Sequence, residues 1–375
     1  FFEMRRPRVK VPPGHAQAYY HCVSRVVGRE FLLGETEKEQ FVRYMRLYEK
    51  LYELRVISYA VLSNHFHILV EVPQRPDDSE LPDDAGLVAH VRSCLGDEAV
   101  TELEWELSHY RGQGNDKSAE ELREKWFSRM WNISRYMKVL KQRFTQWFNG
   151  RHNRRGTLWQ DRFRSVLVEG KGAAIKTMAA YIDLNPVRAG ICLDPMDYRW
   201  CSYGEAVAGG KLAQKALQWL QSFRVDSLGG VERSSGSDVT AVSPVVSNKE
   251  ALERWRCYLF GVPFSERARN EELQKEGLGG KAHVFRARIS RERALEVMKE
   301  GGRLKQSDYL RCRVRYFSDG AALGTKTFIE EVFQSAREHF SPNRKDGSRP
   351  LKGLELAPKP QRIYNLRQLQ KNVVS

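Results

Sequence analysis

The sequence has no paired cysteines. Its six, Cys22, Cys94, Cys192, Cys201, Cys257 and Cys312, are scattered with no C-x-x-C spacing. That argues against a zinc ribbon or a disulfide framework and points to a reducing compartment. Long apolar runs are also missing. None approaches the ~20 residues needed to span a bilayer, so no membrane partner is expected. No signal-peptide pattern opens the chain, and the three residues before Met4 carry no weight. A G-x-x-x-x-G-K-[ST] phosphate loop is absent, so no nucleotide cofactor is expected. Acidic residues are in deficit, with 47 Asp+Glu against 62 Lys+Arg and a net charge of +15. Such a surplus favours a polyanionic partner, nucleic acid before anionic membrane.

What remains is ample for a folded core: 375 residues, 41% hydrophobic and 11% aromatic, enough for about two domains at ~100–200 residues each. Residues Ala18 to Val27 are β-branched and aromatic and read as a strand. Glu37 to Leu54 carries Phe41, Tyr44, Met45, Leu47 and Tyr48 at helical spacing. Arg55 to Leu62 and His65 to Val72 read as a hairpin joined at Ser63-Asn64. The chain then turns acidic and Pro/Asp-rich, and about 74–130 is expected to be a helical insertion on the side of the core. Ser134 to Phe148 is a further helix, Thr157 to Val168 a fourth strand, and Ala173 to Leu184 a helix stopped by Asn185-Pro186.

This order predicts an α+β fold, an antiparallel sheet with helices packed on it. The expected organisation is a first domain over 4–210, a linker over 211–250, and a mainly helical C-terminal domain over 251–375. In the last, Ser307 to Phe317 and Thr327 to Phe340 read as two helices around Ser318-Asp319-Gly320, with Thr327 and Glu330 as a capping box. A DNA-binding helix-turn-helix and a plain helical packing unit fit these residues equally well.

Two places carry chemistry. In His65-Phe66-His67 the histidines stand at i and i+2 of a strand, so they share a face and can bind one divalent ion. Taken alone, H-x-H is more often a pair of ordinary surface histidines. In Tyr181-Ile182-Asp183-Leu184-Asn185-Pro186, Tyr181 and Asn185 lie four apart at a helix end and share a face. A phenol can attack phosphorus, and an Asn oxygen can join a metal shell. Taken alone, a packed aromatic and a helix cap are the commoner reading. Asp183 points largely away.

The blocks HFHILVEVP, WNISRYMKVLKQRFTQWFNGRHNRRGTLWQDRFRSVLVE, YIDLNPVRAGI and DYRWCSY closely resemble the REP-associated tyrosine transposases, of the single-tyrosine HUH (His-hydrophobic-His) nucleases. The resemblance covers roughly Arg5 to Tyr203. It implies a ferredoxin-like nuclease core, Mg2+ or Mn2+ on His65 and His67, Tyr181 as the nucleophile, and Asn185 as third ligand. Asn is shorter than the Gln of some relatives. It also implies cleavage and rejoining of single-stranded DNA beside REP-like hairpins through a 5′-phosphotyrosine, in a cytoplasmic, nucleoid-associated bacterial protein that works as monomer or dimer. The tail YLRCRVRYFSDGAALGTKTFIEEVF resembles that of longer relatives.

The substrate side agrees. Between Ser134 and Trp159 stand seven basic residues and no acid, interleaved with Tyr136, Phe144, Trp147, Phe148 and Trp159. Cations track phosphates and aromatics stack on bases, although most of these aromatics fall on an apolar helix face and read as core. The expected DNA contacts are Arg5, Arg6, Arg8 and Lys10 on a basic arm, then Lys141, Arg143, Arg151, Arg154, Arg155, Arg162, Arg164 and Arg188. Two rival readings use the same residues: a domesticated, non-catalytic DNA-binding regulator, and a metal hydrolase that activates water.

Overall fold

The computed structural model describes residues 8–223, 246–260, 295–297, 299, 302–312, 314–355 and 362–366. The described chain runs β1 (Gln17–Arg25), α1 (Glu35–Leu51), β2 (Arg55–Val61), β3 (His65–Pro73), α2 (Asp84–Leu95), α3 (Thr101–Gly112), α4 (Asp116–Phe127), α5 (Ile133–Arg151), β4 (Arg164–Val168) and α6 (Gly172–Asp183). It continues with α7 (Asn185–Arg188), α8 (Ser202–Val207), α9 (Lys211–Ser222), α10 (Asn248–Phe260), α11 (Gln306–Arg311), α12 (Arg315–Asp319), β5 (Ala322–Gly324), α13 (Lys326–Ser335), β6 (Arg349–Pro350) and β7 (Tyr364–Leu366). The fold is α+β, built on one sheet of order β2-β3-β1-β4-β5-β7-β6. Every pairing is antiparallel except β4 with β5.

Both faces of the sheet are covered, and the side-chain alternation of β1 shows how. Tyr20 and Cys22 enter a core with Phe66, Ile68 and Val70 of β3, the apolar faces of α1 and α5, and helices α2 to α4. Tyr19 on the other face packs with Leu69, Val166, Val168 and the buried helix α6. Helix α6 comes close to the sheet because Ala174, Ala179 and Ala180 are small and fully packed. A bulge between Val56 and Ser58 turns both Ile57 and Ser58 towards this second face.

Helix α5 starts at Asn132, whose side chain accepts from the amides of Ser134 and Arg135. Its aromatics are core: Tyr136, Phe144 and Phe148 are buried, as is Trp159 beside it, and Trp147 is half-buried. The acidic stretch after Pro73 forms α2 to α4, and Leu87, Val91, Leu103, Leu107 and Leu122 bury against the first core.

The C-terminal half departs from expectation. The segment assigned as linker begins with a helix, α9, whose Ala213, Leu217 and Leu220 bury in the second core. Residues 224–245 of that segment lie outside the described residues. Two helices joined by a turn at Ser318-Asp319-Gly320, which either reading of this region requires, are not found among the described residues of 306–340. After α11 and α12, Ala322–Gly324 form strand β5 against β4, so the backbone groups a continuous helix needs go into the sheet. The cap of α13 is Thr325 rather than Thr327: Thr325 Oγ1 accepts from the Phe328 amide at 3.3 Å. The described C-terminal residues thus extend the first domain's sheet by three short strands instead of standing beside it as a helical unit.

Candidate active site on the second face of the sheet

In β3, His65 and His67 lie opposite Arg25 and Val23 of β1 and share one face. Phe66 points the other way, with its ring 4.6 Å from Phe41 and 5.3 Å from Trp159. The two imidazole centroids stand 5.1 Å apart at 71°. His65 is half-buried and His67 is 3% exposed.

Helix α6 brings Tyr181 over this face, 2% exposed. Its ring lies 6.4 Å from His67, 6.5 Å from His21 and 4.6 Å from Phe317 of α12. The Arg188 guanidinium sits 3.7 Å above the tyrosine ring and donates to the Leu310 carbonyl at 2.7 Å. Arg188, expected at a DNA surface, is therefore half-buried against the candidate nucleophile. Asn185, one turn on, is 6% exposed, and its Nδ2 is buried without a hydrogen-bond partner.

Sequence reasoning missed His21. It is fully buried on β1, with Nε2 2.8 Å from His67 Nδ1 and Nδ1 2.7 Å from the Phe317 carbonyl. The two rings are nearly coplanar, 17° apart, with centroids at 5.0 Å. Burial, with the Arg188 charge adding to it, holds the His21 imidazole down to about 4 against the pull of the Phe317 carbonyl. Burial, His21 and His65 keep His67 well below the usual histidine range. A lone histidine inside an apolar strand gave no signal beyond its being a buried polar group.

Asp183 does turn away, into a separate network. Its carboxylate accepts from Ser202 Oγ at 2.7 Å, the Tyr203 amide at 3.2 Å and Trp255 Nε1 at 2.9 Å. Burial pushes it up to about 6 against these hydrogen bonds. The network ties the end of α6 to α8 and α10.

Two imidazoles side by side on one face, centroids 5.1 Å apart, are donors of the kind a divalent cation takes. His65 Nδ1 faces Asn64 Oδ1 at 2.6 Å, and Asn64 Nδ2 donates to the Arg29 carbonyl at 2.9 Å, which fixes the amide's orientation. The Asn185 amide has a buried nitrogen without a partner, and turning the amide would present oxygen there. Among the described residues no group of three His, Cys, Asp or Glu is placed to hold a metal ion.

The basic residues divide. Arg5 and Arg6 lie outside the described residues. Arg8 is a strap: it donates to Ser165 Oγ at 3.1 Å and Ser134 Oγ at 2.9 Å and stacks 4.5 Å from the Phe163 ring. Lys141 donates to the Asp161 carbonyl at 2.7 Å. Arg151 pairs with Glu37 at 3.6 Å and Arg164 with Asp319 at 3.0 Å. Lys10, Arg143, Arg155 and Arg162 are exposed and Arg154 is half-buried. Arg8, Arg162 and Arg164 meet Arg315 and His339 around a cavity of about 690 Å³.

No family model matches the chain, and no curated protein matches it. One solved structure, described as a REP-associated tyrosine transposase bound to a REP hairpin, is 15% identical. It covers 66% of this chain and 100% of its own, with a TM-score of 0.35. At that level the similarity bears on neither the site nor the chemistry. No helix among the described residues is long and apolar enough to cross a membrane.

Proposed function

We propose that the protein is a metal-dependent single-stranded DNA endonuclease and strand transferase of the REP-associated tyrosine transposase kind, acting beside hairpins through a 5′-phosphotyrosine. The observation that carries this reading is the meeting of three separated residues: Tyr181 from α6 faces the paired rings of His65 and His67, 6.4 Å from the latter. A purely structural tyrosine has no need of a histidine pair beside it.

In this reading His65, His67 and Asn185 hold Mg2+ or Mn2+, with the amide and substrate oxygens favouring these hard ions over the softer ones that imidazoles alone suit. The bound ion supplies charge stabilisation at the scissile phosphate. Tyr181 supplies the nucleophile. Its Oη–phosphorus bond forms as the phosphorus–O3′ bond breaks; the phenol proton leaves and the 3′ oxygen gains one. The product is a protein-linked 5′ end and a free 3′-hydroxyl. Attack by another 3′-hydroxyl reverses these changes and rejoins strands without ATP. Arg188, over the ring, orients the phenol.

The test is a denaturing gel of the full chain with single-stranded hairpin oligonucleotides, with and without Mn2+. A covalent adduct that needs Mn2+ and disappears in Tyr181→Phe, with DNA affinity nearly unchanged, is expected. DNA binding with no adduct under any condition favours the second reading, a non-catalytic DNA-binding regulator. One observation speaks for that alternative: Tyr181 is only 2% exposed, beneath Arg188 and Phe317.

A further inference from the structure

We propose that His21 and the backbone carbonyl of Phe317 form a positioning pair that sets the tautomer of His67, so that His67 presents Nε2 to a divalent cation. The inference rests on the reading of His65 and His67 as a cation site, and it adds residues that belong to no motif.

A carbonyl oxygen only accepts, and Phe317 O lies 2.7 Å from His21 Nδ1, so that nitrogen carries the hydrogen. His21 is fully buried with the Arg188 guanidinium near, and an isolated buried cation is costly; the ring is neutral. Its Nε2 therefore has only a lone pair to offer. That lone pair faces His67 Nδ1 at 2.8 Å, so His67 Nδ1 donates. A neutral imidazole has one ring hydrogen, which leaves Nε2 of His67 as its bare nitrogen. Metal-binding histidines characteristically donate their other N–H to a fixed acceptor, which sets ring orientation and tautomer. Here the acceptor is a second histidine, anchored in turn on a carbonyl. The other ring follows the same rule by a shorter route, because Asn64 Oδ1 accepts from His65 Nδ1.

The anchoring carbonyl comes from α12, almost 300 residues along the chain from His21 (317 − 21 = 296). The same residue covers the Tyr181 ring at 4.6 Å. The C-terminal segment is therefore part of the site's construction.

The test uses the full chain, metal-free and labelled with 15N-histidine, followed by Mn2+ titration. Long-range 1H–15N spectra at pH 7 are expected to show both His21 and His67 protonated at Nδ1 and bare at Nε2. His21→Phe is expected to weaken Mn2+ binding roughly ten- to hundred-fold. His21→Gln is expected to restore much of it, because its amide oxygen can accept from His67 while its NH2 donates to Phe317. That rescue separates tautomer control from simple space filling. A wild-type His67 protonated at Nε2 overturns the proposal without any variant. Mn2+ binding by His21→Phe equal to wild type, in a folded protein, overturns it as well. Wild type that binds no Mn2+ at all overturns the cation site itself, so the two failures are distinguishable.

Discussion

Replacing Trp255 by Phe should lower stability by roughly 2–4 kcal/mol, and the figure follows from what the indole does. Trp255 is fully buried on α10 and donates from Nε1 to Asp183 at 2.9 Å. Phenylalanine keeps the aromatic face that stacks on Tyr258 but removes the donor. A buried acceptor left without its partner costs about 1–3 kcal/mol, more when it is charged. The ring lost leaves unfilled volume, adding roughly 1 kcal/mol at ~24 cal/mol per Å³. The Ser202 and Tyr203 bonds remain, so the carboxylate is short of one donor only. With a urea slope of about 3 kcal/mol/M, the midpoint should fall by roughly 0.7–1.3 M. Equilibrium urea unfolding followed by far-UV circular dichroism reads this directly. A midpoint shift below about 0.3 M at unchanged slope would refute the docking of α10 on the end of α6. The position has a functional side too: the end of α6 carries Tyr181, so the folded variant should also form adduct more slowly.

Other outcomes follow from the same geometry. His65→Ala and His67→Ala should each abolish Mn2+-dependent cleavage with circular dichroism unchanged, whereas Asn185→Ala should be milder because water can replace an amide oxygen; equal wild-type cleavage in EDTA and in Mn2+ would contradict all three. Lys176 is 6% exposed, and burial, with Arg254 adding to it, lowers its ammonium to about 8. Its charge opposes folding below that pH, and the penalty, about 3 kcal/mol at full effect, fades as pH rises from about 8 towards the unfolded value. Lys176→Met should therefore be the more stable protein at pH 7, with the advantage shrinking by pH 10; parallel pH–stability curves would count against this. Replacing Arg151, Arg154 and Arg155 together by Ala should weaken binding of hairpins with single-stranded flanks and flatten its salt dependence by about 0.7 per lost contact. A titration matching wild type in affinity and slope would remove that loop from the DNA surface.

How much was legible in the sequence depended on periodicity. The period-2 run HFHILVEVP marked a strand and set its histidines on one face; the four-residue spacing of Tyr181 and Asn185 reads as one helix end, whereas α6 stops at Asp183 and Asn185 opens the short helix α7. The fold class followed from the order of such runs. Strands β5, β6 and β7 could not be read, because ALG, RP and YNL are too short to show any period. The helix-turn-helix alternative failed for the same reason: two apolar segments around a glycine look alike whether a strand or a turn joins them. His21 was silent since its meaning lies in a carbonyl that no side-chain pattern reports. Charge misled about direction. Arg8 and Arg188 look like phosphate ligands in the sequence, yet one straps Ser134 to Ser165 and the other covers Tyr181.

The carbonyl of Phe317 also gives the site a date of completion. A ribosome releases Tyr181 and both histidines well before it reaches α12, which lies 136 residues further on (317 − 181). At ~5–20 residues per second that interval lasts roughly 7–27 s. During it the nascent chain can form the four-stranded sheet of β1 to β4 and the helices that flank it. His21 then has no carbonyl to hold it, and the face of Tyr181 that Phe317 will cover is bare. Assembly is ordered in time as well as in space, and a chain cut short between Asn185 and α12 carries the histidines, Tyr181 and Asn185 but not the finished site.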